Sequence, residues 1–165
     1  MKLTALFLLL LAHAFAQLHP GDAFPAFSGG TISGSKLELP SAAKGRAAAV
    51  IFSFSRRAGD DARAWTERLV RDFGPAVGSF IVIMLEDVPR LFRGIAASGI
   101  EKGMPTALHG HTVIASSDEA LWKKRLAVSD LNRSYVILLD AEGRVRWLNA
   151  SAFSDVEYRH LKEQL

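Results

Sequence analysis

Three strand-length stretches, Ala47 to Phe54, Ser79 to Leu85 and Tyr135 to Leu139, are apolar almost from end to end. A strand with one wet face alternates polar and apolar residues, and these do not. Each therefore reads as a strand covered on both faces, of the kind found in a largely parallel sheet with helices packed on either side. That feature predicts an α/β domain.

The segments between these runs read as the covering helices. From Asp60 onward, Ala62, Trp65, Leu69 and Phe73 fall three, four and four apart on one helical stripe. Asp60 stands where it can cap the helix, and Gly74-Pro75 ends it. Asp87 is placed to cap a second helix that buries Val88, Leu91, Phe92, Ile95 and Ala96 and closes over Gly99 to Gly103. After a short strand at Thr112 to Ala115, Ser116-Ser117-Asp118-Glu119 has capping-box spacing. It opens a helix from Asp118 to Leu126 that buries Leu121, Trp122 and Leu126. Asp140 to Gly143 is turn chemistry, and the alternation from Arg144 to Leu148 makes an antiparallel hairpin with the strand before it. Ser154 to Glu157 is a second capping box, opening a last helix with Tyr158, Leu161 and Leu165 on one side. Upstream, Leu18 to Pro40 is broken by glycine and proline, with Phe24 and Phe27 available to pin it. Within it Lys36 to Leu39 alternates as a short strand with one wet face.

Residues 1–16 have the pattern of an export signal: Lys2, an apolar run from Leu3 to Phe15, and Ala14-Phe15-Ala16 as a small-x-small cleavage site. The run is shorter than the roughly twenty residues that span a bilayer. Removing 16 of the 165 residues leaves a 149-residue chain, enough for one domain over 17–165. The expected location is periplasmic or secreted. Without Lys2, 19 Lys and Arg face 17 Asp and Glu in mixed order, and the basic clusters Arg56-Arg57 and Lys123-Lys124-Arg125 lack interleaved aromatics. Nucleic-acid binding is not supported. There is no cysteine, so thiol chemistry and disulfide stabilisation are both excluded.

Several motifs together carry a resemblance. Phe24-Pro25 precedes Lys36-Leu37-Glu38-Leu39-Pro40, and Phe52-Ser53-Phe54 ends a strand with Trp65 downstream. Ser134-Tyr135-Val136-Ile137-Leu138-Leu139-Asp140 is followed by Gly143-Arg144-Val145-Arg146-Trp147. The order of elements resembles the thioredoxin-like fold. Within it the last block is similar to the signature of the mitochondrial ATP synthase assembly factors, the ATP-ten group, and their bacterial relatives. The resemblance covers nearly all of the chain after residue 16. It implies a three-layer fold: a central mixed sheet, helices on both faces and a terminal β-hairpin. It also implies a chaperone-like role in assembling or maturing a membrane complex. Two departures limit it. Redox members carry their cysteines in the turn that Ser55 to Gly59 occupies here. The proline that thioredoxins set before the penultimate strand aligns with Ser134.

The candidate site is that turn, at the carboxyl end of a buried strand, where ligands of open α/β sheets collect. Ser53 and Ser55 either offer a hydroxyl to a neighbouring base or bond locally. Arg56 and Arg57 either bind an anion beside the helix amides or pair with Asp60 or Asp61. His109, His111 and Met104 are either a soft metal site or a polar loop. Arg144, Arg146 and Trp147 are either a docking edge or, for Trp147, core, with Val145 and Trp147 expected on one face. The expected function is non-enzymatic: a monomer without cofactor that binds a protein partner. Rival readings are an enzyme using a serine and a histidine, a metal carrier, and a binder of a small anion.

Overall fold

The computed structural model describes residues 16–165. The expected leader, up to Phe15, lies outside the described residues. The three apolar runs are strands β3 (Ala48–Ser53), β4 (Gly78–Met84) and β6 (Tyr135–Leu139), and every residue in them is buried. They sit at the centre of a five-stranded sheet of order β5-β4-β3-β6-β7, with β5 at Thr112–Ala115 and β7 at Val145–Asn149 on the edges. β3 runs parallel to β4 and antiparallel to β6, so the sheet is mixed, as expected.

Burial on both faces explains the missing alternation. Val50 and Phe52 of β3 enter a core with Phe80, Val82, Tyr135, Phe24 and Trp122. Ala49 and Ile51 enter a second core with Ile81, Val136, Trp65, Leu69, Tyr158 and Leu161. Successive side chains still point to opposite faces, but both faces are dry. The second core lies under helix α1 (Arg56–Phe73) and the last helix, α4 (Asp155–Glu163). The first lies under helix α3 (Glu119–Arg125) and an N-terminal hairpin.

That hairpin pairs β1 (Phe27–Gly30) antiparallel with β2 (Lys36–Leu39), Phe27 opposite Leu39 and Gly30 opposite Lys36. β1 falls in the stretch read as loop because Gly29 and Gly30 look like breakers. Gly29 serves close approach: a Cβ there would collide with Val113 Cγ1 on β5.

Three helix starts differ from expectation. α1 begins at Arg56, with Ser55 as its cap rather than Asp60: Ser55 Oγ accepts from Ala58 N at 3.2 Å. The buried stripe starts one turn earlier, at Ala58, a residue too small to advertise itself as apolar periodicity. Helix α2 (Arg90–Gly103) is not capped by Asp87, because Pro89 keeps the preceding residue out of helical geometry and stands itself at the cap. The Asp87 carboxylate bonds Lys123 Nζ, which holds its carboxyl below the usual range. Nor is the expected stripe buried: Leu91, Phe92 and Ile95 are 83%, 54% and 73% exposed. At α3 the capping box does not form, since Asp118 takes a left-handed conformation (φ 64°) and its side chain caps nothing. Glu86 supplies the carboxylate instead, accepting from Glu119 N at 2.6 Å. The buried Glu119 carboxylate accepts from Asp87 N at 3.1 Å and pairs with Lys123 at 2.8 Å. Trp122 and Leu126 are buried as expected, while Leu121 is half-buried. Ser154 caps α4 as read, accepting from Glu157 N at 3.2 Å.

The Asp140–Gly143 turn closes the β6-β7 hairpin with Asp140 Oδ1 accepting from Arg144 N and Glu142 N. Gly143 has φ 82°, and a Cβ there would lie 2.7 Å from Pro40 Cβ. Gly143→Ala should therefore cost more than about 1 kcal/mol, because both the dihedral and the space oppose it. A lowered urea midpoint at unchanged slope would register that loss, and an unchanged midpoint would contradict it.

Candidate functional site

β3 gives way to α1 within two residues, so there is almost no turn. Ser53 ends the strand, fully buried, and its Oγ has no hydrogen-bond partner. Phe54 is buried, edge-on to Tyr135 with centroids 5.9 Å apart. Ser55 Oγ caps the helix and donates to Asn132 Oδ1 at 3.3 Å. Both serines were expected either to be activated or to bond locally; Ser55 does the second and Ser53 neither.

Arg56 and Arg57 occupy the first helical turn rather than a loop. Both are exposed, and among the described residues neither side chain makes a hydrogen bond or ion pair. The pairing alternative is absent because Asp61 is engaged elsewhere: it accepts from Ser134 Oγ, and from Phe153 N at 2.5 Å. Asp60 is exposed at the same end of the helix. Ser134 is thereby tied to α1. Asn132 and Asp61 complete the neighbourhood. They arrive from contacts spanning 77, 73 and 92 positions, which no local spacing announces.

Beside Arg56 a cavity of about 550 Å³ opens between the start of α1 and α2. Ser55, Arg56, Gly59, Asp60 and Arg63 form its polar wall. Ile83 and Leu85 form its floor, because the register sets Ser53 beside Ile83 and brings the ends of β3 and β4 level. Val88, Ala96, Ile100 and Met104 form the apolar wall. Arg63 Nη1 bridges the two sides by donating to Gly103 O at 3.2 Å.

The other candidates lie apart. The hydrogen bonds of the two histidines lead away from the serines: His109 Nε2 meets Met104 O at 3.0 Å and His111 Nδ1 meets Ser79 O at 2.9 Å. Neither ring bonds Ser53 or Ser55, so no serine and base pair is assembled. The possible metal ligands do not converge either. Met104 is buried in the second core, His109 turns to its backbone rather than its sulfur, and no cluster of three His, Cys, Asp or Glu exists among the described residues. At the far sheet edge, Arg144 Nη1 donates to Gly21 O at 3.1 Å and Arg146 Nη1 to Leu165 O at 3.4 Å. A bulge leaves Arg146 unpaired, with Val145 opposite Leu139 and Trp147 opposite Leu138. Val145 and Trp147 consequently enter different cores, contrary to the expectation that they share a face. Trp147 is half-buried core.

No family model matches the chain, and no curated protein matches it. Solved structures do match in fold. A Chlorobium tepidum protein described as a thiol:disulfide interchange protein DsbE is 14% identical with a TM-score of 0.68, over 90% of this chain and 96% of that one. The thioredoxin domain of a thiol-disulfide oxidoreductase from Bacteroides vulgatus is 17% identical with a TM-score of 0.63, over 89% and 98%. An exposed lipoprotein thioredoxin from Streptococcus pneumoniae is 15% identical with a TM-score of 0.63, over 84% and 99%. The fold is thioredoxin-like. The sequence has no cysteine, so the thiolate that disulfide exchange requires is missing from it.

Proposed function

We propose that this protein uses a thioredoxin-like frame for recognition: a redox-inactive, exported protein that binds another protein at the turn where redox members keep their cysteines. The carrying observation is that Arg56 and Arg57 stand exposed and unpaired at the start of α1, beside a largely apolar cavity. Exposed arginine next to apolar surface is the composition of protein contact sites. Export is supported by the leader pattern in residues 1–16 and by likeness to an exposed lipoprotein thioredoxin. The assembly of a membrane complex is supported by the similarity of Ser134–Asp140 and Gly143–Trp147 to the ATP synthase assembly factor signature. Arg144 and Arg146 are an additional docking edge in that reading.

Co-purification from membranes tests it. A defined complex should be recovered, and R56A/R57A should weaken it about tenfold, roughly 1.4 kcal/mol for two exposed contact residues. Retention of the same partner at the same salt tolerance would remove the turn from the interface. Thiol-disulfide reductase and peroxidase assays should stay at background. Turnover that survives a chelator would overturn the non-enzymatic reading.

A second reading, a small anion bound by Arg56, Arg57 and the first amides of α1, draws on those same unpaired cations. Phosphate titration by calorimetry separates the two, since heat of binding lost in R56A/R57A without any partner would favour the anion.

A further inference from the structure

We propose that the groove between the start of α1 and helix α2 takes an acidic amphipathic segment of the partner, its carboxylate on Arg56 and its apolar side chains along α2 and in the cavity. This rests on the docking reading above and adds the chemistry of what docks.

Among the described residues, α2 is the one α-helix that buries no residue. Its apolar positions nevertheless form one stripe, Leu91, Phe92, Ile95, Ala96 and Ile100, spaced one, three, one and four apart. The distal half of the stripe, Ala96 and Ile100, faces the cavity, and the proximal half continues beyond it into solvent. Of the six exposed large hydrophobics among the described residues, three stand on this one stretch. Singly scattered apolar residues need no explanation; a contiguous set does. The cavity, about 550 Å³, is large enough for a few inserted side chains.

Charge decides the class of occupant. Arg63 is already committed, to Gly103 O and, at 3.7 Å, to Glu67. Arg56 is not, and it borders the same cavity. A neutral or basic segment laid over it would strip water from an unpaired guanidinium, whereas a carboxylate gives it a two-pronged partner. Asp60 on the same wall holds the charge near balance, so one acidic group, rather than an acidic run, fits. A bilayer fits less well. The stripe descends into a concavity that a lipid surface does not fill, Arg93 is folded back onto the carbonyls of Val88 and Glu86, and the remaining charges of α2 and its approach, Glu86, Asp87 and Glu101 against Arg90 and Lys102, are of mixed sign.

The test is selection of random twelve-residue peptides on the purified protein. Synthetic copies of the winners are then titrated by fluorescence anisotropy into wild type, R56A/R57A and L91E/I95E. Because Leu91 and Ile95 are exposed, L91E/I95E should melt like wild type. Winners should carry Asp or Glu beside apolar residues, bind each variant at least tenfold more weakly, and lose as much when the acid becomes its amide. Failure to enrich any peptide, winners without an acid, or affinity indifferent to L91E/I95E would each overturn the proposal. So would binding to vesicles containing one-third anionic lipid, or a dimer by light scattering, that L91E/I95E abolishes. Membrane co-purification with both variants separates the two levels. A partner lost in R56A/R57A but kept in L91E/I95E leaves docking at the turn and removes the groove, and one kept in both removes the docking reading itself.

Discussion

The double variant S55C/A58C is expected to form an internal disulfide on mild oxidation and to reduce a protein disulfide in the presence of dithiothreitol, where the native chain stays at background. The geometry is already in place. Ser55 caps an eighteen-residue helix, and Ala58 follows one turn later with its backbone N–H bonded to the Ser55 hydroxyl oxygen. The Ser55 side chain already reaches over the first turn to the Ala58 backbone at 3.2 Å, so the two positions face each other across the start of the helix. A sulfur at the cap faces the amide end of the helix dipole and gains thiolate character there. Alkylation of both thiols after oxidation, in a variant with unchanged circular dichroism, would show that the strand-to-helix junction lacks the frame described above. S55C alone should form no internal bridge, which separates frame from mere reactivity.

Trp122→Ala should be the most damaging single core change, about 3–5 kcal/mol, because the indole has no substitute in the first core. Its ring stacks on Phe52 at 4.5 Å and on Phe24 at 5.5 Å and meets Phe27 edge-on at 5.9 Å. It thereby joins sheet, α3 and N-terminal hairpin in one contact. For a chain of this size that loss lowers the melting temperature by roughly 10 °C. Trp147→Ala, at a half-buried position on the edge strand, should cost less. Equal shifts for the two would contradict the hierarchy of burial.

What could be read in advance follows from where the physics is local. Buried strands declare themselves by composition, so β3, β4 and β6 were legible, as was the cap at Ser154. Asp60 and Asp87 were misread as caps, and Ser116 to Glu119 as a capping box; Ser55 caps α1, Pro89 stands at the start of α2, and Glu86 supplies the carboxylate at α3. Pro89 and the left-handed Asp118 decided two of those cases. The stripe of α2 has the right period and still faces water, since period reports amphipathicity and not what lies opposite. At the site, the strand-to-helix junction was legible, but not that the helix already begins at Arg56. The Asp61 to Ser134 bond and the Ser55 to Asn132 bond were not, because they join positions far apart in the chain. The histidines show the reverse: a suggestive spacing whose rings the fold commits to backbone carbonyls.

The antiparallel edge of β3 has a consequence for biogenesis. Ala48 finds its partner at Leu139 and Phe52 at Tyr135, so one side of the central strand lacks its neighbour until more than eighty further residues have been made. At roughly 5–20 residues per second the nascent chain waits on the order of 5–20 s with an open apolar edge. Such a chain is slow to lock and sticky while it waits.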